Sequence, residues 1–157
     1  MISSKRRNVR VKVVQSLYAY ELSKDPIEKV KKDQLSDIDD EELHKFACEL
    51  LDHILENQNK IDELIESNID NWEIERIALL DKLVLRMGVT ELLCFPDIPT
   101  KVTINEAIDI AKMFGTNNSG KFVNGVLDAI HNKLKNLGDI KKTGRGLLDF
   151  KKKPDEK

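Results

Sequence analysis

The chain has few of the residues and segments that would place it outside a reducing cytoplasm. Its 157 residues include only two cysteines, Cys48 and Cys94, and both lie among apolar residues with helical spacing. Cysteines in such surroundings are usually buried, reduced thiols. No segment approaches the roughly 20 apolar residues that a membrane span needs, and no apolar stretch of a signal peptide follows the charged N-terminus. We therefore expect an intracellular, cytoplasmic protein without membrane association.

The residue patterns of enzyme and metal sites are also missing. Only three histidines are present, and neither a Ser-His-Asp constellation nor a paired-cysteine motif is evident. His44, Cys48 and His53 could be considered as metal ligands because the first two lie one helical turn apart. Their spacing is unlike that of usual zinc sites, however, and a fourth ligand is not evident. We therefore expect no catalytic residues, no metal and no cofactor.

One segment comes close to an enzyme motif without completing it. Gly115, Gly120 and Lys121 match the phosphate-binding loop of nucleotide hydrolases, but that loop then needs Ser or Thr, and this chain has Phe122. The loop also needs a buried strand before it, whereas the upstream apolar residues are spaced as in a helix. What remains is an Asn- and Ser-rich loop that opens onto a helix. Free N–H groups and the positive end of the helix dipole predict that it binds an anion such as phosphate.

Charge is distributed unevenly along the chain, although the formal net charge is only −2. No acidic residue precedes Glu21, acidic residues dominate from there to Glu75, and the C-terminal tail is basic again. The first helix therefore has a basic N-terminal end, whose cations can neutralise phosphates. From composition alone, a solvated helix end is the alternative.

Apolar residues recur with helical periodicity along most of the chain, and no segment supports a strand. The pattern predicts an all-α fold, a compact bundle of about seven helices. Asn124 and Gly125 would suggest a hairpin turn, but the apolar stripe continues through them, so they are predicted to lie inside a helix. Three helices are predicted in the first half of the chain: about 7–22, from the acidic run 39–42 through Leu55, and about 61–65. A fourth runs from Glu73 and must end before the Pro-containing segment 95–99. A fifth begins at a capping box formed by Thr103 and Glu106, and a sixth runs from Ser119 to Leu137.

Six segments form a recognisable set: Gln15–Leu22, Leu83–Leu92, Pro96–Pro99, Lys101–Ala107, Ala111–Gly115 and Lys121–Asp128. Together they resemble the bacterial transcription antitermination factor NusB family, from about Arg6 to Leu134, and the last two are the most specific. The resemblance implies two packed helical subdomains and a non-catalytic factor that binds single-stranded boxA RNA jointly with NusE, a small-subunit ribosomal protein. It would help to assemble an antitermination complex, notably for ribosomal RNA transcription, with other Nus factors and RNA polymerase as indirect partners.

The resemblance implies two groups of RNA-binding residues. The first is the basic start of the chain, with Lys5, Arg6, Arg7 and Arg10 as phosphate contacts. The second comprises Phe114, Asn118, Ser119, Lys121 and Phe122. In it, Lys121 and the helix N–H groups would meet phosphate, and the phenylalanines would stack on unpaired bases or, alternatively, pack in the core. Arg86 is either an RNA contact or a local ion-pair partner.

Family members often carry an acidic residue in the loop before the conserved lysine, where this chain has Asn117 and Asn118. Fewer negative charges near the phosphates should favour RNA binding.

The family's protein-binding face maps onto Tyr18, Glu75 and Asp81, with Lys101 nearby. Acidic groups there would orient a basic ribosomal protein and speed its association. A solvated acidic surface is the alternative. Whether a homodimer hides the basic face is left open by the sequence.

Two other functions stay open at this point. The chain could be a helical protein–protein adaptor whose partner binding is indifferent to RNA. NusB-like domains also occur as RNA-binding appendages of ribosomal-RNA methyltransferases, but that arrangement needs a further cofactor-binding α/β domain.

We assign residues 1–137 to the NusB-like domain and expect 138–157 to form a basic, disordered tail because of their Gly and Lys content.

Overall fold

The computed structural model describes residues 2–69 and 77–147, with side chains from Lys5 onward. These residues form seven α-helices and a 3₁₀ turn at Gly144–Leu147 and contain no strand, which confirms the all-α prediction. Within them, no helix is long and apolar enough to cross a membrane. The helices are α1 (Ile2–Ser23), α2 (Ile27–Leu35), α3 (Glu41–Glu56), α4 (Gln58–Ser67), α5 (Leu79–Cys94), α6 (Thr100–Phe114) and α7 (Asn117–Asn136).

The chain divides into two compact helical units, residues 1–56 and 57–157. In the first unit, α1 packs against both α2 and α3. Apolar side chains at helical spacing form its core, including Val13, Val14, Leu17, Leu50, Leu51 and Ile54, each at most 3% exposed. Helix α2 was not predicted as a separate element. Only Val30 and Leu35 of its residues are buried, so its apolar signal is weak.

Helix α3 begins where the acidic run predicted a helix start. The Asp40 Oδ1 atom accepts hydrogen bonds from the N–H groups of Glu42 at 2.9 Å and Leu43 at 3.0 Å. A side-chain cap of this kind typically contributes about 1 kcal/mol to stability. The boundary was predictable because both the capping residue and the groups it caps are neighbours in sequence.

The second unit is built around α5, which packs against α4, α6 and α7. Every residue from Leu83 to Leu92 is buried. The buried polar groups have partners: the Thr90 hydroxyl donates to the Arg86 carbonyl at 2.7 Å, and Glu91 Oε1 accepts from the Thr103 hydroxyl at 2.8 Å. Burial on all sides explains why the sequence of α5 is apolar around its whole circumference.

The starts of α5 and α6 differ from the sequence prediction. Helix α5 begins at Leu79, with Ile77 in a bend before it, and Glu73 lies outside the described residues. Helix α6 begins at Thr100 with no side-chain cap, so the capping box predicted at Thr103 is wrong. Thr103 is buried in the first turn, and its hydroxyl bonds to Glu91.

Helix α7 contains Asn124 and Gly125 in its interior, which confirms that this pair forms no hairpin turn. Gly125 faces open space, because a Cβ added to it would meet nothing within 4 Å. A close neighbour within the described structure therefore does not explain this glycine.

The beginning of the expected disordered tail is packed instead. Lys142 is 9% exposed, and its Nζ donates to the carbonyls of Glu91 at 3.3 Å and Phe95 at 3.0 Å. The Thr143 N–H donates to the Pro96 carbonyl at 3.0 Å. The ammonium thus satisfies carbonyls at the C-terminus of α5, where a cation also suits the helix dipole. Residues 148–157 lie outside the described part of the chain.

Candidate nucleic-acid interface

The basic start of the chain forms the N-terminal half of α1 in the first unit. Lys5 is exposed, Arg6 and Arg7 are half-buried, and Arg10 is only 2% exposed. The exposure of these predicted RNA contacts therefore decreases from Lys5 to Arg10. The outer three can present charge at the surface, whereas Arg10 mainly serves packing.

Phe46 of α3 orders two of these arginines. The guanidinium carbon of Arg6 lies 4.4 Å from the centre of the Phe46 ring, and that of Arg10 lies 5.5 Å from it. Arginine is attracted to an aromatic face at these distances, by about 0.5–1 kcal/mol at exposed sites and more when desolvated. The Arg6 guanidinium is therefore held in place before any ligand arrives. We refer to Arg6, Arg7, Arg10 and Phe46 as the arginine cluster.

In the second unit, the loop between α6 and α7 starts α7 with a capped N-terminus. The Thr116 hydroxyl oxygen accepts hydrogen bonds from the N–H groups of Asn118 at 3.1 Å and Ser119 at 3.4 Å. The Gly120 N–H donates to the Thr116 carbonyl. The expectation of free N–H donors after Asn118 is therefore wrong, because the Thr116 cap occupies them. Phosphate binding here would depend on side chains.

The side chains of this loop differ in exposure. Asn118 and Lys121 are exposed, whereas Phe114, Ser119 and Phe122 are half-buried. Partial burial agrees with both roles left open for the phenylalanines, since one ring face can pack while the other meets a base. The chain enters this loop from helix α6 and not from a strand, as expected for a segment that is not a nucleotide-hydrolase phosphate loop.

Asp81 and Ser119 lie together, although the sequence placed them on different binding faces. Burial raises the pKa of the Asp81 carboxyl, and a hydrogen bond from the Ser119 side chain acts in the opposite direction. A residue predicted to contact a protein partner therefore lies next to a residue predicted to contact RNA.

Arg86 takes the ion-pair role that the sequence left open. Its Nε and one terminal nitrogen each donate to a carboxylate oxygen of Asp62 on α4, both at 2.9 Å. The Arg86 side chain is 7% exposed and that of Asp62 27%. This bidentate geometry is the strongest form of arginine–carboxylate pairing, and it leaves little of the guanidinium for a ligand.

The remaining predicted partner residues have different surroundings. Tyr18 is 40% exposed on α1 of the first unit. Lys101 is exposed near the start of α6 in the second unit, and Glu75 lies outside the described residues. The structure thus leaves Tyr18 accessible to a protein partner.

The metal site considered from the sequence has no counterpart in the described part of the chain, where no three His, Cys, Asp or Glu side chains are grouped to hold an ion. Cys48 Sγ lies 3.8 Å from His44 Nδ1. Burial raises the pKa of the Cys48 thiol, which disfavours the reactive thiolate.

Comparison with known proteins identifies the family. Residues 7–132 match the model of the NusB family. The chain belongs to the NusB family. Its relatives named transcription antitermination protein NusB include that of Salinibacter ruber, 44% identical over 92% of this chain and 92% of the relative. That of Chloroherpeton thalassium is 42% identical over 92% of this chain and 70% of the relative.

Solved structures agree with the NusB fold. The chain is similar to T. maritima NusB, with 40% identity and a TM-score of 0.77 over 82% of this chain and 91% of that one. It is also similar to a chain in the crystal structure of antitermination factors NusB and NusE in complex with double-stranded RNA. That match has 26% identity and a TM-score of 0.76, and it covers 83% of this chain and 98% of that one. The family resemblance drawn from the sequence motifs is therefore confirmed.

Phe46 is a residue of the candidate site that the motifs of the NusB family did not indicate. In the sequence it is one apolar residue among several on α3, and its periodicity predicts only burial. Its contact with Arg6 depends on how α1 packs against α3, which no local pattern encodes. An unusually basic helix end offers a hint, since closely spaced arginines need aromatic or acidic neighbours when they are partly buried.

Proposed function

We propose that this chain is a non-catalytic RNA-binding antitermination factor that binds single-stranded boxA-type RNA together with NusE in the bacterial cytoplasm. It would help to assemble an antitermination complex on RNA polymerase, notably during ribosomal RNA transcription, with the other Nus factors as indirect partners. The observation that carries this proposal is the basic end of α1 in a chain of the NusB family. No acidic residue precedes Glu21, and the Arg6 guanidinium packs over the ring of Phe46.

The residues of both units support a division of roles in RNA binding. Cationic side chains such as Lys5, Arg6 and Lys121 would bind the phosphates, which gives affinity without much sequence information. Phe114 and Phe122 would stack on bases, which requires unpaired nucleotides. Arg86 is not part of this proposed surface because Asp62 occupies its guanidinium.

NusE binding would involve Tyr18 in the first unit and Asp81 in the second, with Glu75 and Lys101 as further residues of the protein-binding face. The proximity of Asp81 and Ser119 supports a link between partner binding and RNA binding. If the two are coupled, NusE must raise the affinity for RNA by the same factor by which RNA raises the affinity for NusE. A protein–protein adaptor would show no such coupling.

The test is fluorescence anisotropy of a labelled boxA RNA of about a dozen nucleotides, a size that suits a single-stranded binding site. A scrambled strand and a boxA duplex serve as controls, each with and without NusE and over a series of salt concentrations. We expect the single boxA strand to bind best, more tightly with NusE and less tightly with salt. Equal, weak binding of all three RNAs in the presence of NusE would overturn the proposal and favour the adaptor. Preference for the duplex would overturn its single-stranded part.

A further inference from the structure

A cleft opens between α6 and α7 in the second unit, and its chemistry is not accounted for by packing. It has a volume of about 340 Å³, at the lower end of the range of about 300–1,000 Å³ for small-molecule sites. Among the described residues, the cleft is lined by Ile108, Lys112, Asn117, Gly120, Lys121 and Asn124, none of which has a carboxylate or an aromatic ring. We refer to these residues as the lysine cleft.

The two lysines of the cleft carry charge that the described residues do not neutralise. Lys112 and Lys121 are both exposed. The cations that form ion pairs in the described part of the chain include Lys12, Lys29, Lys31, Lys45 and Arg86, and neither cleft lysine is among them. Two ammonium groups that line one cleft repel each other, and an anion between them offsets this repulsion. The two asparagine amides add uncharged hydrogen-bond donors on the same lining.

Gly120 determines where the Lys112 side chain lies. Gly120 is buried, and a Cβ added to it would lie 2.8 Å from Lys112 Cγ and 3.0 Å from Lys112 Cδ. The aliphatic stem of Lys112 therefore rests against the backbone of α7, in space that any larger residue would fill. This contact restrains the stem of the side chain at Cγ and Cδ.

We propose that the lysine cleft binds one phosphodiester group of the RNA backbone, with Lys112 and Lys121 as its cationic contacts and Gly120 as the residue that positions Lys112. This inference rests on the RNA binding proposed above, and it adds a residue of α6 to that surface. A phosphodiester suits the cleft because it carries a single negative charge and accepts hydrogen bonds from ammonium and amide groups. Because the described lining offers ammonium and amide groups and no aromatic ring, we assign the cleft to the RNA backbone and not to base stacking.

This assignment predicts a loss of affinity that is independent of RNA sequence. The test measures binding of boxA RNA and of its scrambled control to wild type and to Lys112→Gln over a salt series. We expect Lys112→Gln to weaken both RNAs by the same several-fold factor. The slope of log affinity against log salt should fall by about 0.7, the value for one phosphate contact with a single strand.

Lys133→Gln is the matched control. Lys133 is an exposed lysine on the same helix as Lys121, about 18 Å further along it at 1.5 Å per residue. It should keep the affinity and the salt slope of wild type. If wild type binds RNA and Lys112→Gln behaves like Lys133→Gln, the cleft assignment is overturned while the proposed function stands. If wild type binds neither RNA, both are overturned.

Gly120→Ala tests the positioning role without changing any charge. Its added methyl group must displace the Lys112 stem, so we expect weaker binding of both RNAs with an unchanged far-ultraviolet circular dichroism spectrum. The double variant Gly120→Ala/Lys112→Gln should bind no more weakly than Lys112→Gln alone, because the methyl group then has no ammonium to misplace. Wild-type affinity in folded Gly120→Ala would overturn the role of Gly120.

Discussion

The arginine cluster of the first unit and the lysine cleft of the second present positive charge by opposite means. In the cluster, the guanidinium groups of Arg6 and Arg10 lie 4.4 and 5.5 Å from one aromatic ring, and Arg10 is 2% exposed. In the cleft, Lys112 and Lys121 are exposed and extend from two neighbouring helices. The positive charge of the cluster therefore lies on side chains that pack in the protein, whereas the positive charge of the cleft lies on lysines that are exposed to solvent.

This difference follows from the chemistry of the two side chains. A guanidinium is planar and weakly hydrated, so it can lie on a ring and be partly buried while it stays charged. An ammonium is a compact, strongly hydrated charge on a flexible stem, so it stays in solvent until an anion displaces water. Substitutions in the cluster should thus change stability and RNA binding together, and those of the two cleft lysines should change binding alone.

The largest effect is expected from Phe46→Ala, which removes the ring beneath both arginines. Phe46 is 5% exposed, and truncation of a buried phenylalanine typically costs about 4 kcal/mol. Urea denaturation followed by circular dichroism measures the free energy of unfolding. Leu22→Ala is the control within α1, because Leu22 is 59% exposed and should change stability by less than about 0.5 kcal/mol. A loss below about 1 kcal/mol for Phe46→Ala would contradict the packing role of the cluster.

Asp62→Ala tests whether a third cation, Arg86, belongs to packing or to RNA binding. It leaves the guanidinium buried without its carboxylate, which should destabilise the protein by about 2 kcal/mol, somewhat less than a fully buried pair because Asp62 reaches solvent. RNA affinity should stay unchanged in the folded variant. Adding Arg86→Met should restore stability, since no unpaired charge then remains. A large loss of RNA affinity without a loss of stability would contradict the packing role and indicate that Arg86 contacts RNA.

Arg6→Gln and Lys121→Gln compare the two regions directly. Both variants should weaken boxA binding several-fold and lower the salt slope, because each removes one phosphate contact. Arg6→Gln should also lose about 0.5–1 kcal/mol of stability with its ring contact. Lys121→Gln should unfold like wild type. Paired urea and anisotropy measurements distinguish the two outcomes, and equal stability losses would remove the distinction between cluster and cleft.

Asn118→Asp adds a negative charge to the exposed loop that leads into the cleft. We expect it to weaken RNA binding more than Asn118→Ala does at low salt, because the carboxylate repels phosphate. The difference between the two variants should shrink towards 1 M salt, where the Debye length is only about 3 Å. Anisotropy titrations at both salt concentrations measure this. Weaker binding by Asn118→Ala than by Asn118→Asp would show that the loop does not meet phosphate.

The smallest effect is expected from Asp81→Asn beside Ser119. Burial raises the pKa of Asp81 in the folded state, so the folded protein binds a proton at this carboxyl more tightly than the unfolded chain does. The stability of the wild type therefore falls as pH rises from the unfolded pKa to the folded pKa. Above this interval the asparagine variant should be more stable than wild type, by less than about 1 kcal/mol because solvent screens the carboxylate. Below both pKa values the difference should vanish. Urea midpoints at pH 7 and pH 3 check this, and a less stable variant at pH 7 would contradict it.

Features of the fold that depend on neighbouring residues were predictable from the sequence, and those that depend on distant pairs were not. The start of α3 follows from Asp40 and the N–H groups it caps. The start of α6 was misplaced because Thr103 bonds to Glu91, 12 residues away. Likewise, Arg86 and Asp62 are separated by 24 residues, so the sequence could only leave two roles open for Arg86.

The candidate site shows the same limit. The motifs pointed to Lys121 and its loop, but the Thr116 cap that occupies the nearby N–H groups was not foreseen. Phe46 lies in none of the family segments, and Lys112 lies in the segment Ala111–Gly115 without a role assigned from it. Their proposed roles follow from the packing of α1 on α3 and of α6 on α7. Charge patterning located the basic start of the chain, and the loop motif pointed to Lys121, yet only tertiary contacts distinguish the arginines that pack on Phe46 from the exposed lysines of the cleft.

The most direct test of the account is nuclear magnetic resonance mapping of a ¹⁵N-labelled protein titrated with single-stranded boxA RNA. If both basic regions bind RNA, amide signals should shift in the basic part of α1, from Lys5 to Arg10, and in the stretch from Lys112 to Asn124. Signals of the acidic stretch from Asp37 to Glu42 should stay in place. Shifts confined to one basic region, or absent from both while RNA binds elsewhere, would contradict the claim that the two regions bind one RNA by different means.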